Sequence, residues 1–575
     1  IKVSIPRNRI AALRQISGVV DVKPVGVYTY DNVVSVPRIQ APLAWAGVNG
    51  VHGEGIRVAI IDTGIDYTHA NFGGPGTAAA YQVAHMSETS PADPTMFGPG
   101  APKVKGGTDL VGDAYDPNST DPAINTPHPD PNPLDCNGHG SHVAGSAAGF
   151  GVSANGTIYT GPYDQTTYNN PFTIGPGVAP KADLYAVRVF GCSGATDVVS
   201  EALEWAVDND MDVVNMSLGA DFTTADSADA LAADNAVKAG IVVVSAAGNA
   251  GDIRYILGAP GSSTKGIAVA ASTKEAFDTT VNVALPAVQA GPAAQTITAI
   301  NANGASFSPG SLEVKVLRDS SGAVSLGCDP NEYISAHVTG KLVVTQRGVC
   351  ARVARAIFGQ QAGAAAVVMI NNATTLPPFE GPITSNPDTG EPFAVSIPFY
   401  GVRGLATTAT SDGFALVQRD GLSVALTQGV PIQTGLASFT SGGPRTPDSL
   451  LKPDITAPGV NIISTAVGTG NQAATFSGTS MATPHVAGVA ALTIQAHPKW
   501  KPAAVKSAII NSGNPNDLAD YATRRAGSGF VNAASAVGTF AYAYADKDET
   551  TVNFGFESLM TDFTKTRTIH VKNDG

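Results

Sequence analysis

Three side chains of the types that perform nucleophilic catalysis stand far apart in the sequence, at Asp62, His139 and Ser480. A serine hydroxyl is a weak nucleophile until a base takes its proton, and histidine has the ordinary pKa that suits this task. A carboxylate that orients the imidazole completes such a triad. Taken singly, each residue has a structural alternative, since Asp62 could form the turn before Gly64, and His139 and Ser480 could cap helices. The pair His139 and His142 lacks the Glu of the zinc motif H-E-x-x-H, which argues against a metal site.

The elements that must position these residues show an α/β pattern from about residue 57 to 272. Apolar runs at 58–61, 184–189 and 241–244 are continuous rather than alternating, which is typical of parallel strands buried on both faces. Asp62 directly follows the first run, and functional groups gather at the carboxyl ends of parallel strands. His139 precedes a helical run of small residues, and Ser480 begins another. The sequence therefore predicts a mostly parallel sheet covered by helices.

The same pattern divides the chain into segments. It is interrupted between about 275 and 434, where Gly, Ala, Thr and Val dominate, and it resumes at 453, so the middle segment is predicted to be an insertion into one domain. From about 543 the residues alternate between apolar and polar, which predicts the start of a β domain that is cut short at Gly575. We expect a catalytic domain in two parts, 31–274 and 435–542, an insertion at 275–434, and flanking segments at 1–30 and 543–575.

Composition and charge exclude several classes of protein. The 575 residues are 43% hydrophobic and 14% charged, which allows large cores and excludes a mainly disordered chain. The 34 Lys and Arg against 47 Asp and Glu give a net charge of -13, so nucleic acids and anionic membrane surfaces are poor partners. No apolar run is long enough to span a membrane. Four cysteines without a C-x-x-C motif suit two disulfides of an exported protein.

Three sequence blocks around the candidate triad resemble the signature blocks of the subtilisin-like serine proteases. They are I-I-D-T-G-I-D at 60–66, N-G-H-G-S-H-V-A-G at 137–145 and S-G-T-S-M-A-T-P-H at 477–485. The chain order Asp, His, Ser is also that of subtilisin. The resemblance implies a three-layer α/β fold and a secreted serine endopeptidase that cleaves proteins or peptides through an acyl-enzyme, with no cofactor required for the chemistry. Ser141 stands where Thr is commoner in the family and keeps a hydroxyl.

The resemblance also implies individual roles. Asp62 would orient His139, His139 would be the general base, and Ser480 the nucleophile. Asn249, in the block A-A-G-N-A-G at 246–251, would donate to the oxyanion together with the backbone N–H of Ser480; a turn residue is the alternative for Asn249.

The substrate site can be assigned in the same way. An edge segment would pair with the substrate backbone, and a pocket would receive the P1 residue, the one that precedes the scissile bond. A glycine at the floor of that pocket would favour a large apolar or aromatic P1 side chain, although the same glycine could simply serve the turn before Pro260. The residues of this site would be Ser217, Leu218 and Gly219 at the edge, Ala246, Ala247 and Gly248 along one wall, and Gly258 at the floor.

The flanking segments have resemblances of their own. Residues 340–350 and 360–372 of the insertion resemble a protease-associated domain, which has no chemistry of its own and would restrict or recruit large substrates; a passive spacer is the alternative. Residues 1–30 resemble the end of an inhibitory propeptide, so the chain would inhibit itself until a cut near Tyr30, with Tyr30 in the P1 pocket and Val27 in a second pocket. Residues 543–575 would begin a fibronectin-III-like domain.

The cysteines and calcium complete the expectations. The resemblance implies a disulfide between Cys136 and Cys192, and Cys328 and Cys350 could close a loop inside the insertion, although four cysteines allow three pairings. Structural Ca²⁺ is common among relatives, but its ligands remain unknown. Loop carboxylates that could bind it, or simply be solvated, are Asp113, Asp116, Asp121, Asp130 and Asp135.

One alternative function comes from another class. A catalytically silent binding protein could keep the protease fold and use the insertion to capture a partner. The joint presence of Asp62, His139, Ser480 and Asn249 argues against it.

Overall fold

The computed structural model describes most of the chain after residue 31. The described residues are 32–47, 50–275, 277–289, 291–307, 309–377, 380–381, 383, 386–389, 391, 393–545 and 549–575. They form two compact units: the larger contains the described residues up to Phe277 and from Gln433 onward, and the smaller is Asp278–Ile432. The predicted propeptide segment 1–30, with Val27 and Tyr30, lies outside the described residues.

A seven-stranded parallel sheet forms the centre of the larger unit. Its spatial strand order is β7-β6-β5-β4-β1-β3-β2, and every neighbouring pair is parallel. The predicted α/β fold with a central parallel sheet is therefore confirmed. In chain order the strands are β1 (Arg57–Asp62), β2 (Val104–Asp109), β3 (Asp183–Arg188), β4 (Val213–Met216), β5 (Val242–Ala246), β6 (Ile267–Thr273) and β7 (Ile455–Val460).

Alternate side chains of β1 enter two separate cores, which explains why its apolar run is continuous. Val58 and Ile60 belong to the core that also contains apolar residues of helices α1 (His139–Ala148) and α2 (Thr479–Ala496). Ala59 and Ile61 belong to a second core with helices Val199–Asp208 and Ala228–Ala239. Helices thus cover both faces of the sheet.

Shorter elements complete the larger unit. Its remaining α-helices are Asn32–Arg38, Ala41–Trp45, Ala78–His85, Pro122–Asn125, Pro502–Asn511, Thr523–Ala526 and Ala533–Gly538, and its 3-10 helices are Ala70–Phe72, Thr167–Asn169 and Pro515–Asp517. Antiparallel pairs join Val152–Ser153 to Phe172–Ile174, Ile462–Thr465 to Ala473–Phe476, and Ala541–Tyr544 to His570–Asn573. Among the described residues, no helix is both long and apolar enough to cross a membrane.

The smaller unit is a closed β-barrel. Valine, leucine and isoleucine side chains of its strands fill the barrel core. Its strands are Thr280–Leu285, Gln295–Asn301, Gly310–Val316, Leu342–Gln346, Ala366–Ile370, Phe399–Val402 and Ser423–Gln428, and its helices are Pro330–Ser335, Ala354–Gln361 and Asp412–Val417. A disulfide joins Cys328 to Cys350 within this unit. The unit falls inside the segment 275–434 that the sequence sets apart.

Candidate active site

The candidate catalytic residues meet at the carboxyl edge of three adjacent strands, β5, β4 and β1. Asp62 is the last residue of β1, and Ser217 directly follows the last residue of β4. Asn249 comes three residues after the end of β5. Because neighbouring parallel strands end at the same edge, residues that are far apart in sequence face one another there.

Asp62 and His139 form a hydrogen-bonded pair. The Nδ1–H of His139 donates to Asp62 Oδ1 over 2.7 Å, and the backbone N–H of Thr63 donates to the same oxygen over 2.8 Å. The Asp62 side chain is fully buried, whereas 31% of the His139 side chain is exposed. The carboxylate thus fixes the tautomer of the imidazole and leaves Nε2 as the acceptor for a proton.

The charge around His139 favours its protonated form. Burial is the largest single influence and lowers the pKa of His139, but the adjacent Asp62 carboxylate, its hydrogen bond and the more distant Asp135 together outweigh it. The pKa of His139 is therefore raised above its ordinary value of 6.5. An imidazolium formed during a reaction would be stabilised in the same way.

Asp135 organises the loop that carries His139. One of its carboxylate oxygens accepts hydrogen bonds from the backbone N–H groups of Asn137 and Gly138, each over 2.9 Å. The other oxygen accepts from the backbone N–H and the hydroxyl of Ser141. A buried carboxylate therefore caps the N-terminus of α1, where His139 is the first residue.

Asp135 is a positioning residue that the sequence analysis missed. It was grouped there with loop acids that could bind calcium, but its oxygens are occupied by donors of the loop itself. The available signal was its place four residues before His139, at the start of a predicted helix. Gly140 completes the junction, since a Cβ at this position would lie 2.2 Å from the carbonyl oxygen of Gly64.

A disulfide and a buried arginine brace the same loop. Cys136 is bonded to Cys192, which lies beyond the end of β3. The guanidinium of Arg188, at the end of β3, donates to the carbonyl of Leu134 and lies 2.6 Å from the Asp113 carboxylate. The loop before His139 is thus tied both to strand β3 and to the segment that follows it.

Two hydrogen bonds join Ser480 and Ser217. The Ser480 hydroxyl donates to the carbonyl of Ser217 over 2.9 Å, and the Ser217 hydroxyl donates to the carbonyl of Ser480 over 2.8 Å. The Ser480 carbonyl is open to the second bond because Pro484 lies four residues after Ser480 in α2 and has no N–H to donate to that carbonyl. Within the described residues, the Ser480 hydroxyl makes no hydrogen bond with His139.

Asn249 has an orientation that suits an anion donor. Its Oδ1 accepts hydrogen bonds from the backbone N–H and the hydroxyl of Thr479, each over 2.9 Å. The amide nitrogen is therefore turned the other way, and a Cβ on Gly478 would lie 3.7 Å from it. In the part of the chain that the structure describes, this Nδ2 has no hydrogen-bond acceptor. It is a free donor beside the N-terminus of α2.

The predicted pocket residues lie on two segments next to Ser480. Residues 217–219 follow β4. Residues 246–248 consist of the last residue of β5 and the two residues after it, and Ala246 and Ala247 are buried. Gly258 packs closely on the first segment, since a Cβ there would lie 1.9 Å from the Ala220 carbonyl. The glycine thus permits a close approach of two chain segments, in addition to the floor role that the resemblance implies.

Two groups of described side chains have metal-ligating types within reach of one another. In one, Asp113, Cys136 and Cys192, both cysteines are already joined in a disulfide. In the other, the ligand atoms of His85, Glu88 and Asp113 lie within 4.8 Å of one another. Burial and the neighbouring Asp113 raise the pKa of Glu88 to about 8. The Arg188 guanidinium already supplies a positive charge beside Asp113, so this group gives no support for the calcium expectation. Of the other acids considered for calcium, Asp121 caps the helix Pro122–Asn125, and the Oδ1 atoms of Asp116 and Asp130 accept from the backbone N–H groups of Asn118 and Asn132.

Comparison with known proteins identifies the family of this chain. The model of the subtilase family matches residues 53–535. The minor extracellular protease Vpr of Bacillus subtilis is 30% identical over 88% of this chain and 56% of its own length. The subtilisin-like protease SBT1.4 of Arabidopsis thaliana is 28% identical over 92% of this chain and 67% of its own length. The PII-type proteinase of Lactococcus lactis subsp. cremoris is 30% identical over 88% of this chain and 25% of its own length.

The family match covers the sheet, both site helices and the three motif blocks. The chain spans little more than half the length of the Bacillus protease and a quarter of the Lactococcus proteinase. The family model matches well over half of this chain. The chain therefore belongs to the subtilase family.

Proposed function

We propose that the chain is a serine endopeptidase that hydrolyses peptide bonds in proteins, with Asp62, His139 and Ser480 as its triad. The observation that carries the proposal is the 2.7 Å hydrogen bond between His139 and the buried Asp62 carboxylate. At the end of the adjacent strand β4, Ser217 is hydrogen-bonded to Ser480 in the first turn of α2, and an amide donor is free at Asn249. Membership of the subtilase family supports the same activity.

The proposed reaction gives each of these groups a role. The Ser480 hydroxyl turns from the Ser217 carbonyl toward Nε2 of His139, gives up its proton and attacks the peptide carbonyl carbon. The oxyanion accepts hydrogen bonds from Asn249 Nδ2 and from the backbone N–H of Ser480. His139 then protonates the leaving amine, and water hydrolyses the acyl-enzyme by the same route. No metal or organic cofactor takes part in these steps, and a structural Ca²⁺ would act on stability only.

Substrate recognition is proposed from the two segments beside Ser480. Residues 217–219 would add the substrate to the sheet edge by backbone hydrogen bonds, which recognise extended chains of any sequence. Residues 246–248 and Gly258 would form the P1 pocket. Their small side chains support a preference for large apolar or aromatic P1 residues.

The remaining segments are assigned on the resemblances. We propose secretion, on the basis of the two disulfides and of the similarity to the minor extracellular protease Vpr of Bacillus subtilis. The barrel unit is proposed to be a protease-associated domain that admits or recruits large substrates, and residues 543–575 to be a fibronectin-III-like segment. Residues 1–30 are proposed to inhibit the enzyme until it cuts near Tyr30.

Proteolysis of fluorescein-labelled casein tests the activity. Wild type should release labelled peptides, and Ser480→Ala, purified in the same way, should not. Mass spectrometry of the products gives the P1 residues, and N-terminal sequencing of the incubated enzyme should begin near Asp31. Equal release by both proteins, or none by wild type after removal of residues 1–30, would contradict the proposal.

A further inference from the structure

We propose that Asp221 is a specificity-determining residue that enables the P1 pocket to bind the cationic ends of arginine and lysine side chains. The inference rests on the proposed function and deepens it, because it adds a substrate class for the same pocket. The sequence offers no motif for this role.

The position of the Asp221 carboxylate carries the argument. Asp221 lies four residues after Ser217, on the chain segment that continues from β4. Ser217 of this segment is hydrogen-bonded to Ser480. The facing wall includes Gly248, whose backbone N–H donates to Thr479 Oγ1 over 3.2 Å. A Cβ placed on Gly248 would lie 3.3 Å from Asp221 Oδ1. The carboxylate therefore lies beside the predicted wall 246–248 of the pocket.

The backbone on both sides of Asp221 is fixed. The N–H of Ala220 donates to the Ala259 carbonyl, and the N–H of Phe222 donates to the Ile256 carbonyl, each over 2.9 Å. Both bonds join this segment to residues 256–259, which contain the predicted pocket floor Gly258. Asp221 is thus held between two anchored neighbours, so its carboxylate stays close to the pocket.

The charge of Asp221 is uncompensated. Within the described residues its carboxylate forms no hydrogen bond or ion pair, and its side chain is exposed. Two arginines of the same unit are engaged elsewhere: Arg524 lies 2.5 Å from the carboxylate of Asp252, and Arg445 lies 2.6 Å from that of Asp448. A free carboxylate in a substrate pocket attracts a positively charged group of the ligand.

Arginine and lysine side chains match this arrangement. Their aliphatic stems can pack along apolar surface while the charged end stays at a polar site. Ala246 and Ala247 offer such surface, and a guanidinium can form two parallel hydrogen bonds with one carboxylate. The pocket would therefore accept a large P1 side chain with an apolar stem, whether its end is apolar or cationic.

A P1 series measures the effect directly. Peptide substrates that differ only at P1, with arginine, lysine or the neutral, unbranched norleucine, are compared by kcat/KM. We expect Asp221→Asn, which keeps the shape and removes the charge, to lower the arginine-to-norleucine ratio by about tenfold, since hydrogen bonds between charged groups are the stronger ones but water screens an exposed pair.

Asp226→Asn is the matched control. Asp226 is also exposed and lies on the same loop, five residues further on. It should keep the wild-type ratio. A ratio in Asp221→Asn within twofold of wild type, or an equal fall in both variants, would overturn the inference, and the equal fall would point to a general effect of net charge.

A binding measurement separates this inference from the proposed function. Benzamidine carries an amidinium on an apolar ring and needs no catalysis to bind, so its Kd can be measured by calorimetry in the Ser480→Ala background, after removal of residues 1–30 so that Tyr30 does not occupy the pocket. We expect Asp221→Asn to weaken benzamidine binding by about tenfold relative to Asp226→Asn. An unchanged Kd would overturn the role of Asp221 even if peptides are hydrolysed. If wild type hydrolysed no peptide, the proposed function would fail, while the Kd values would still decide the role of Asp221.

Discussion

Replacing Asp62 with Asn should both slow the reaction and shift its pH dependence. Two unit charges about 4 Å apart attract by roughly 4 kcal/mol at an effective dielectric constant of 20, which corresponds to about 3 pKa units as an upper value. The 31% exposure of the imidazole lets water screen part of this attraction. The burial that lowers the pKa of His139 remains in the variant. We therefore expect the pKa of His139 to be lower in the variant than in the wild type.

The activity follows from the protonation state of His139. The base must be neutral, and its pKa is raised in the wild type, so kcat/KM should rise with pH through a value above 6.5. In Asp62→Asn this acidic limb should move to lower pH. At pH 8 kcat should fall by about 10⁴-fold, the size of the effect of this substitution in a Ser-His-Asp protease, because the amide no longer fixes the tautomer.

The free energy of unfolding gives a second test, because the contribution of His139 to stability falls with rising pH whereas kcat/KM rises. A raised folded-state pKa means that protonation of His139 stabilises the fold fully below the unfolded-state pKa, and that this contribution is lost as pH rises through the folded-state pKa. The comparison is made in the Ser480→Ala background, which prevents self-cleavage. In that background we compare the free energy of unfolding in urea with and without the Asp62→Asn substitution. The stability advantage of the protein that keeps Asp62 should be larger at pH 5.5 than at pH 9. An acidic limb that does not move, together with a pH-independent difference in stability, would refute the assigned pairing.

Three further predictions concern groups around the triad. Asn249→Ala should lower kcat by about 10²- to 10³-fold with little change in KM, measured with one peptide substrate, and an unchanged kcat would exclude Asn249 as an oxyanion donor. Ser217→Ala should lower the free energy of unfolding by about 1–3 kcal/mol in urea titrations, because the Ser480 carbonyl loses its donor and Pro484 cannot replace it; equal stability would mean that water satisfies this carbonyl. Replacing both Cys136 and Cys192 with Ala should cost about 4 kcal/mol by loop entropy for a sequence separation of 56, seen as a lower Tm, and an unchanged Tm would show that Arg188 alone braces the loop.

Much of the fold could be predicted from local sequence patterns. A run such as 58–61 is apolar at every position, and such runs indicate strands buried on both faces, as the two cores around β1 show. The break in that pattern marks the segment in which the barrel unit lies. The closed barrel itself could not be derived from the pattern, because its strands pair over long sequence distances.

The site was predictable to the extent that its residues stand in motifs. Asp62, His139 and Asn249 lie at positions where short blocks carry a chemical meaning. The two hydrogen bonds between Ser217 and Ser480 were not predicted, since they depend on a missing N–H at Pro484 and on the approach of β4 to α2. Asp135 and Asp221 were missed for the same reason: an isolated carboxylate reveals its partners or its lack of them only in three dimensions.

The central claim is that Ser480 is a nucleophile activated by His139. Labelling with a fluorophosphonate probe, followed by peptide mass spectrometry, tests it most directly, because the probe reacts with an activated serine and needs no knowledge of the substrate. The account predicts one adduct on Ser480 in the wild type after removal of residues 1–30, none in Ser480→Ala, and much slower labelling in His139→Ala. An adduct on another serine, or equal labelling rates with and without His139, would contradict it.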